Sequence, residues 1–244
     1  MKKRLTSTLL ALALCLSLLP TAALAEEGET VKNVTTADEL TAAVAQGGTV
    51  TLDNNITLTN TLTITNGKTV TLDLNGKTLA SNSDNYAIEI NDGGSLTITD
   101  STSGGTIGKT ITLQAESGST FHMTGNAINN GTIIIEGETK FTMDGKAKSN
   151  GTISVKKLDS SNNIIFGGQA EAGTVEINMA QEKAGICVEG SAKIAELNGN
   201  NNGIMLTMKD DAEIGKVEEL SFKNPLLSDN AKLGSEGSTF TIII

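Results

Sequence analysis

His122 is the only histidine in this 244-residue chain, so any imidazole chemistry must run through it. It sits in Phe121-His122-Met123, with no carboxylate beside it in sequence. If Phe121 and Met123 face a core, strand alternation turns His122 to solvent, as a surface residue rather than a general base. Asp210-Asp211 is the one adjacent pair of aspartates. Two carboxylates can hydrolyse a sugar bond between them, but adjacent aspartates in a polar stretch read as a solvated turn. Cys187, in Ile186-Cys187-Val188, has neither a histidine nor a basic cluster near it and reads as a small filler rather than a nucleophile. Tyr86 is the lone tyrosine, and one ring makes a thin platform for a sugar. Zinc-ligand spacing, a phosphate loop, an EF-hand and a glycine-rich calcium nonapeptide are all missing from the sequence. The expectation is no catalytic, metal-binding or cofactor-binding residue, no cofactor, and no enzymatic activity.

The start of the chain reads as an export signal. Lys2, Lys3 and Arg4 precede the apolar stretch from Leu5 to Leu19. Pro20 breaks it, and Ala23-Leu24-Ala25 offers a cleavage site before Glu26. The apolar run is too short for a spanning helix, and Leu14 before Cys15 argues against a lipoprotein signal. Residues 1–25 are thus expected to leave, and 26–244 to form one domain at the cell surface or outside the cell. That domain keeps 28 acidic residues and loses three of 18 basic ones, giving 15 − 28 = −13 against −10 for the whole chain. Such a surface repels nucleic acid and anionic membranes. Cys187 is then the only cysteine, so packing and backbone hydrogen bonds must supply the stability that a disulfide would add.

A repeat organises what remains. Phe121-His122-Met123 and Phe141-Thr142-Met143 are 20 residues apart, as are Gly125-Asn126-Ala127 and Gly145-Lys146-Ala147, and Asn130-Gly131-Thr132-Ile133 and Asn150-Gly151-Thr152-Ile153. Thr49-Val50-Thr51-Leu52 and Thr69-Val70-Thr71-Leu72 share that offset, and so do Ala192-Lys193-Ile194 and Ala212-Glu213-Ile214. Ala231-Lys232-Leu233 follows one residue short of it. Each period holds short runs of alternating apolar residues, such as Leu62-Thr63-Ile64 and Val175-Glu176-Ile177, which read as strands. Asn66-Gly67, Asn75-Gly76, Asp92-Gly93, Asp144-Gly145 and Asn202-Gly203 punctuate them and accept the left-handed backbone of a sharp turn. Antiparallel hairpins would use the same turns, but a fixed period belongs to a solenoid, whose coils stack like residues in columns. The fold expected is an all-β, right-handed parallel β-helix of roughly ten coils.

Its two ends need different treatment. Thr36-Ala37-Asp38-Glu39 is a capping box, and Leu40, Ala43 and Val44 then share one helical face before Gly47-Gly48. A short helix over residues 36–45 would cover the first coil. Phe240-Thr241-Ile242-Ile243-Ile244 is strand-like and apolar, and is expected to support end-to-end self-association through residues 240–244.

This cap helix, the Gly-Gly break, the Thr-Val-Thr-Leu and Leu-Thr-Ile coils and Leu74-Asn75-Gly76-Lys77-Thr78-Leu79 together resemble the pectate-lyase-like right-handed β-helix superfamily of bacterial secreted and surface proteins. The resemblance covers all of residues 26–244 as architecture. It implies either polysaccharide lyases and hydrolases or non-catalytic adhesins and autotransported proteins, because the fold alone does not select. Lyases of that superfamily resemble one another in using an Arg or Lys base beside a calcium site of several carboxylates. Here Arg4 is the only arginine, and no lysine sits among clustered aspartates. The Asn-Thr-Asp, Gly-His-Gly and Arg-Ile-Lys signatures of the related hydrolases are likewise missing.

Threonines supply one more reading. Thr57, Thr59, Thr61, Thr63 and Thr65 alternate, and Thr69-x-Thr71 and Thr97-x-Thr99 follow. Flat Thr-x-Thr ladders resemble those of ice-binding solenoids, although threonine also suits any half-exposed strand, and the ranks do not persist through residues 150–230. The function expected is therefore an adhesin-like scaffold, secreted or at the cell surface, whose strand faces bind a glycan or protein. A lyase or hydrolase is the alternative and ice binding a minor one.

Overall fold

Alternation with a period of two decides which side chains go inside, and the chain obeys it from coil to coil. The computed structural model describes residues 31–82, 86–109, 112–116, 118–157, 163–178, 184–199 and 203–243. The export segment expected at residues 1–25 lies outside them, and so do Asn202 and Ile244. Strands of two to eleven residues follow one another along the described chain, interrupted by a single helix near its start. They wind into a parallel β-solenoid of about nine turns.

One sheet holds ten strands, running from Lys32–Val34 through Gly48–Leu52, Thr69–Asp73, Ser95–Thr99, Thr120–Met123, Lys140–Met143, Asn163–Phe166, Gly185–Val188 and Met205–Met208 to Leu226–Leu227. The other holds fourteen and bends into two faces, which the long strands Lys148–Val155, Glu171–Ile177, Lys193–Gly199 and Glu213–Lys223 join. Neighbouring strands in both sheets pair in parallel, which removes the hairpin alternative.

Each coil buries its apolar residues against the coil above and below. On the first sheet Val50, Leu72, Ile98, Met123, Met143, Phe166, Val188 and Met208 form one inner column. Phe121, Phe141 and Phe166 pack ring to ring, with centroids 5.5 Å and 5.8 Å apart, and give a core without tryptophan its bulkiest patch. Facing them, Leu62, Ile88, Leu113, Ile133, Ile153, Val175, Leu197 and Val217 stack on the second sheet. A further inner column is interrupted by Asn129 and Ser149, both buried. Asn129 donates to Ser149 Oγ at 3.0 Å and to the Gly131 carbonyl at 2.9 Å, so the polar step is satisfied.

Close stacking explains some glycines. A Cβ at Gly151 would lie 1.8 Å from the Gly131 carbonyl oxygen, so the Asn-Gly that recurs there permits backbone contact between coils. Asn75 and Gly76 take φ of 46° and 73° at a corner, as their types predict.

The cap helix spans Ala37–Gln46, one residue off at each end from the range read in the sequence. Thr36 Oγ1 accepts the Glu39 N–H at 3.2 Å, and the Glu39 carboxylate accepts the N–H groups of Thr35 and Thr36. Leu40, Ala43 and Val44 are buried by the first coils. Those backbone donors, Thr35 first, hold the Glu39 carboxyl below the usual glutamate value.

One register differs from the 20-residue offset. Thr49 stands beside Thr71 rather than Thr69, because the first coil is two residues longer. The slip is even, so every side chain keeps its face.

Candidate functional site

The outward positions of the first sheet make a flat strip, and threonine dominates its first half. Thr49, Thr71, Thr97, His122 and Thr142 form one outer column in register. Thr69, Ser95, Thr120 and Lys140 form a second, and Asn33, Thr51, Asp73 and Thr99 a third. Val50, Val70, Leu72, Leu96, Ile98 and Phe121, which alternate with these residues, are buried and fix the outward orientation. Parallel strands stand about 4.8 Å apart, and outward residues recur about every 7 Å along a strand, so the hydroxyls occupy a near-rectangular lattice. The Thr57–Thr65 run does not join it. Thr57 stands beside Ala80 and Thr63 beside Glu89 on the second sheet, while the Thr61 and Thr65 hydroxyls donate to the Tyr86 carbonyl and the Asp92 carboxylate.

His122 faces outward and half-exposed, as alternation requires, but it has a carboxylate that the sequence did not announce. Its Nε2 lies 3.0 Å from Asp144 Oδ1 on the next coil, at ion-pair distance but out of line for a hydrogen bond. Asp210 and Asp211 occupy an exposed turn. Asp210 accepts the Gly190 N–H at 2.9 Å and Asp211 accepts from the Asn230 amide at 2.9 Å, so these carboxylates brace neighbouring turns. Cys187 differs from the filler expected: it stands half-buried in the outer column, between Ile165 and Thr207. Burial first, then the Glu189 charge, pushes its thiol up against a smaller opposing pull from Lys209, which keeps it protonated and a poor nucleophile. Tyr86 is exposed, and Asn85 beside it lies outside the described residues.

Charges gather on the other sheet. Lys148, Glu171, Lys193, Glu213 and Lys232 form an alternating outer column, with Lys148–Glu171 at 2.8 Å and Lys193–Glu213 at 3.7 Å. On the adjoining face an open groove of about 420 Å³ is lined by Glu176, Asn178, Asn198, Gly199, Glu218 and Glu219. Glu176, Asn198 and Glu218 are lateral neighbours on successive coils, and Lys216 pairs with Glu218. That hydrogen bond is the main reason the Lys216 ammonium is held above its ordinary value. Sequence reasoning missed this convergence because the glutamates lie two coils apart. A regular alternation of Lys and Glu at coil spacing was the available signal. The buried Asp100 is structural: it accepts from the N–H groups of Gly76 and Gly105 at 2.8 Å and 2.9 Å and from the Thr102 hydroxyl at 3.1 Å.

Among the described residues no three His, Cys, Asp or Glu side chains group as a metal ion would need. No described helix is long and apolar enough to cross a membrane. Neither a family model nor a curated protein nor a solved structure matches the chain.

Proposed function

We propose that this protein is a secreted or cell-surface scaffold, adhesin-like, that binds a glycan or protein partner through the outer face of its first sheet. The observation that carries the reading is the lattice of threonine hydroxyls on that face, held in register by a rigid core. The resemblance to the pectate-lyase-like superfamily, with its right-handed winding and bacterial exported members, belongs to the same proposal. So does end-to-end pairing through residues 240–244, which the exposed Ile242 and Ile243 favour. The test is a binding panel of glycans and extracellular matrix proteins against wild type and the Thr71→Lys/Thr97→Lys double variant. Binding that the variant loses supports the reading, and binding that it retains in full sinks this choice of face.

A polysaccharide lyase or hydrolase is the second reading, and the groove between Glu176, Glu218 and Glu219 is what favours it. It requires product release from a polysaccharide, with loss of activity in both Glu176→Gln and Glu218→Gln. The adhesin reading expects no product from polygalacturonate or related polymers, with or without calcium.

A further inference from the structure

Nine hydroxyl side chains face outward on the first sheet between Thr49 and Thr142: Thr49, Thr51, Thr69, Thr71, Ser95, Thr97, Thr99, Thr120 and Thr142. The charged residues in the same three columns are Asp73 and Lys140, with His122 held beside Asp144. Asp73 Oδ1 is already engaged by the N–H groups of Asn75 and Ser101, at 2.9 Å and 3.0 Å. In a chain of net charge −10, this strip is close to neutral.

We infer that the strip takes a neutral, hydroxyl-rich polysaccharide chain laid along the solenoid axis. The inference rests on the proposed role of this face and adds the chemistry of its occupant. A polyanion finds one lysine there and a net negative protein around it. A polycation is drawn instead to the glutamates of the second sheet. A folded protein, a second copy of this chain included, needs buried aromatic or arginine anchors, and the three columns hold none. A threonine hydroxyl both donates and accepts, as a sugar hydroxyl does, so the two match without a charge on either side. Each coil presents the same groups to the next stretch of chain, so contacts accumulate with length. The strands from Gly48–Leu52 to Lys140–Met143 number five, and their four spacings span about 19 Å. Affinity rises with oligomer length up to that span and then levels off.

The experiment is calorimetric titration of the purified protein with linear neutral glucan oligomers of about two to eight sugars, in several linkages, at low and high salt. The expected result is affinity that climbs with length, is unchanged by salt because no charges are screened, and falls about tenfold or more in Thr71→Lys/Thr97→Lys. Circular dichroism and thermal unfolding establish that the variant is folded, and Thr97→Ser, which keeps the hydroxyl, retains binding. Binding confined to acidic glycans, binding weakened by salt, indifference to the double variant, or no binding to any neutral oligomer each overturns the inference. Dimerisation lost in the double variant also overturns it, by assigning the strip to a second copy. A protein that fails with neutral oligomers yet binds a matrix protein through this face keeps the proposed function and loses only this inference.

Discussion

The first sheet's outer face and the charged column on the second are made from the same backbone, at the same spacing, yet follow opposite rules. Thr49, Thr71 and Thr97 repeat one residue type down the column, whereas Lys148, Glu171, Lys193, Glu213 and Lys232 switch sign at every step. Stacking sets the rule. Strands about 4.8 Å apart bring like side chains together, and two unit charges at that distance interact by about 1 kcal/mol in water. Uncharged residues repeat at no such cost, so a uniform column must be neutral and a charged one must alternate. The alternating column uses its charges on itself, while the threonine face is left to meet something else.

The largest expected effect falls on what the two faces share. Phe141→Ala removes the middle ring of the three-ring stack and should cost about 3–5 kcal/mol in denaturant unfolding. Both faces should loosen together; unfolding of one sheet ahead of the other would show that they do not share a core. Leu40→Asp places an unpaired charge under the cap helix, at an expected cost of several kcal/mol. Unchanged thermal stability in that variant would remove the helix as a cap.

Glu171→Lys sharpens the contrast directly, since it sets three lysines in a row. These side chains are about half-exposed, so solvent screening limits the expected loss to about 1 kcal/mol, shrinking as salt is added. Thr97→Lys, with no lysine directly above or below it, should leave stability nearly unchanged. Equal losses in the two variants would break the column rule.

The smallest effect is at the cap. The Glu39 carboxyl is held below its ordinary value in the folded chain. Its contribution is therefore complete above the ordinary glutamate value and is lost as pH falls through the depressed one. Wild type should lose a small part of its thermal stability over that acidic window, and Glu39→Gln should lack that component.

Legibility followed the same division. The 20-residue recurrence of Phe121 and Phe141, or Ile194 and Ile214, announced the solenoid because those coils really are of equal length. The capping box named the helix because its signal is local. The partner of Thr49 was misread by two residues, since a longer coil keeps the pattern while shifting the register. The Asp144 beside His122 and the groove around Glu176 and Glu218 stayed hidden for a related reason: partners on successive coils are found only once every coil length is known. Cys187 was misplaced because Ile186 and Val188 look like core from any viewpoint, while alternation turns the residue between them outward.

The central claim is that the neutral face, and not the charged one, meets the partner. Its most direct test compares two double variants in the same binding panel, Thr71→Lys/Thr97→Lys on the first sheet and Glu171→Lys/Lys193→Glu on the second, the latter keeping neighbouring opposite charges within its pair. The account predicts that the threonine variant loses binding while the charge-swapped variant binds like wild type. Binding kept by the first and lost by the second would contradict it.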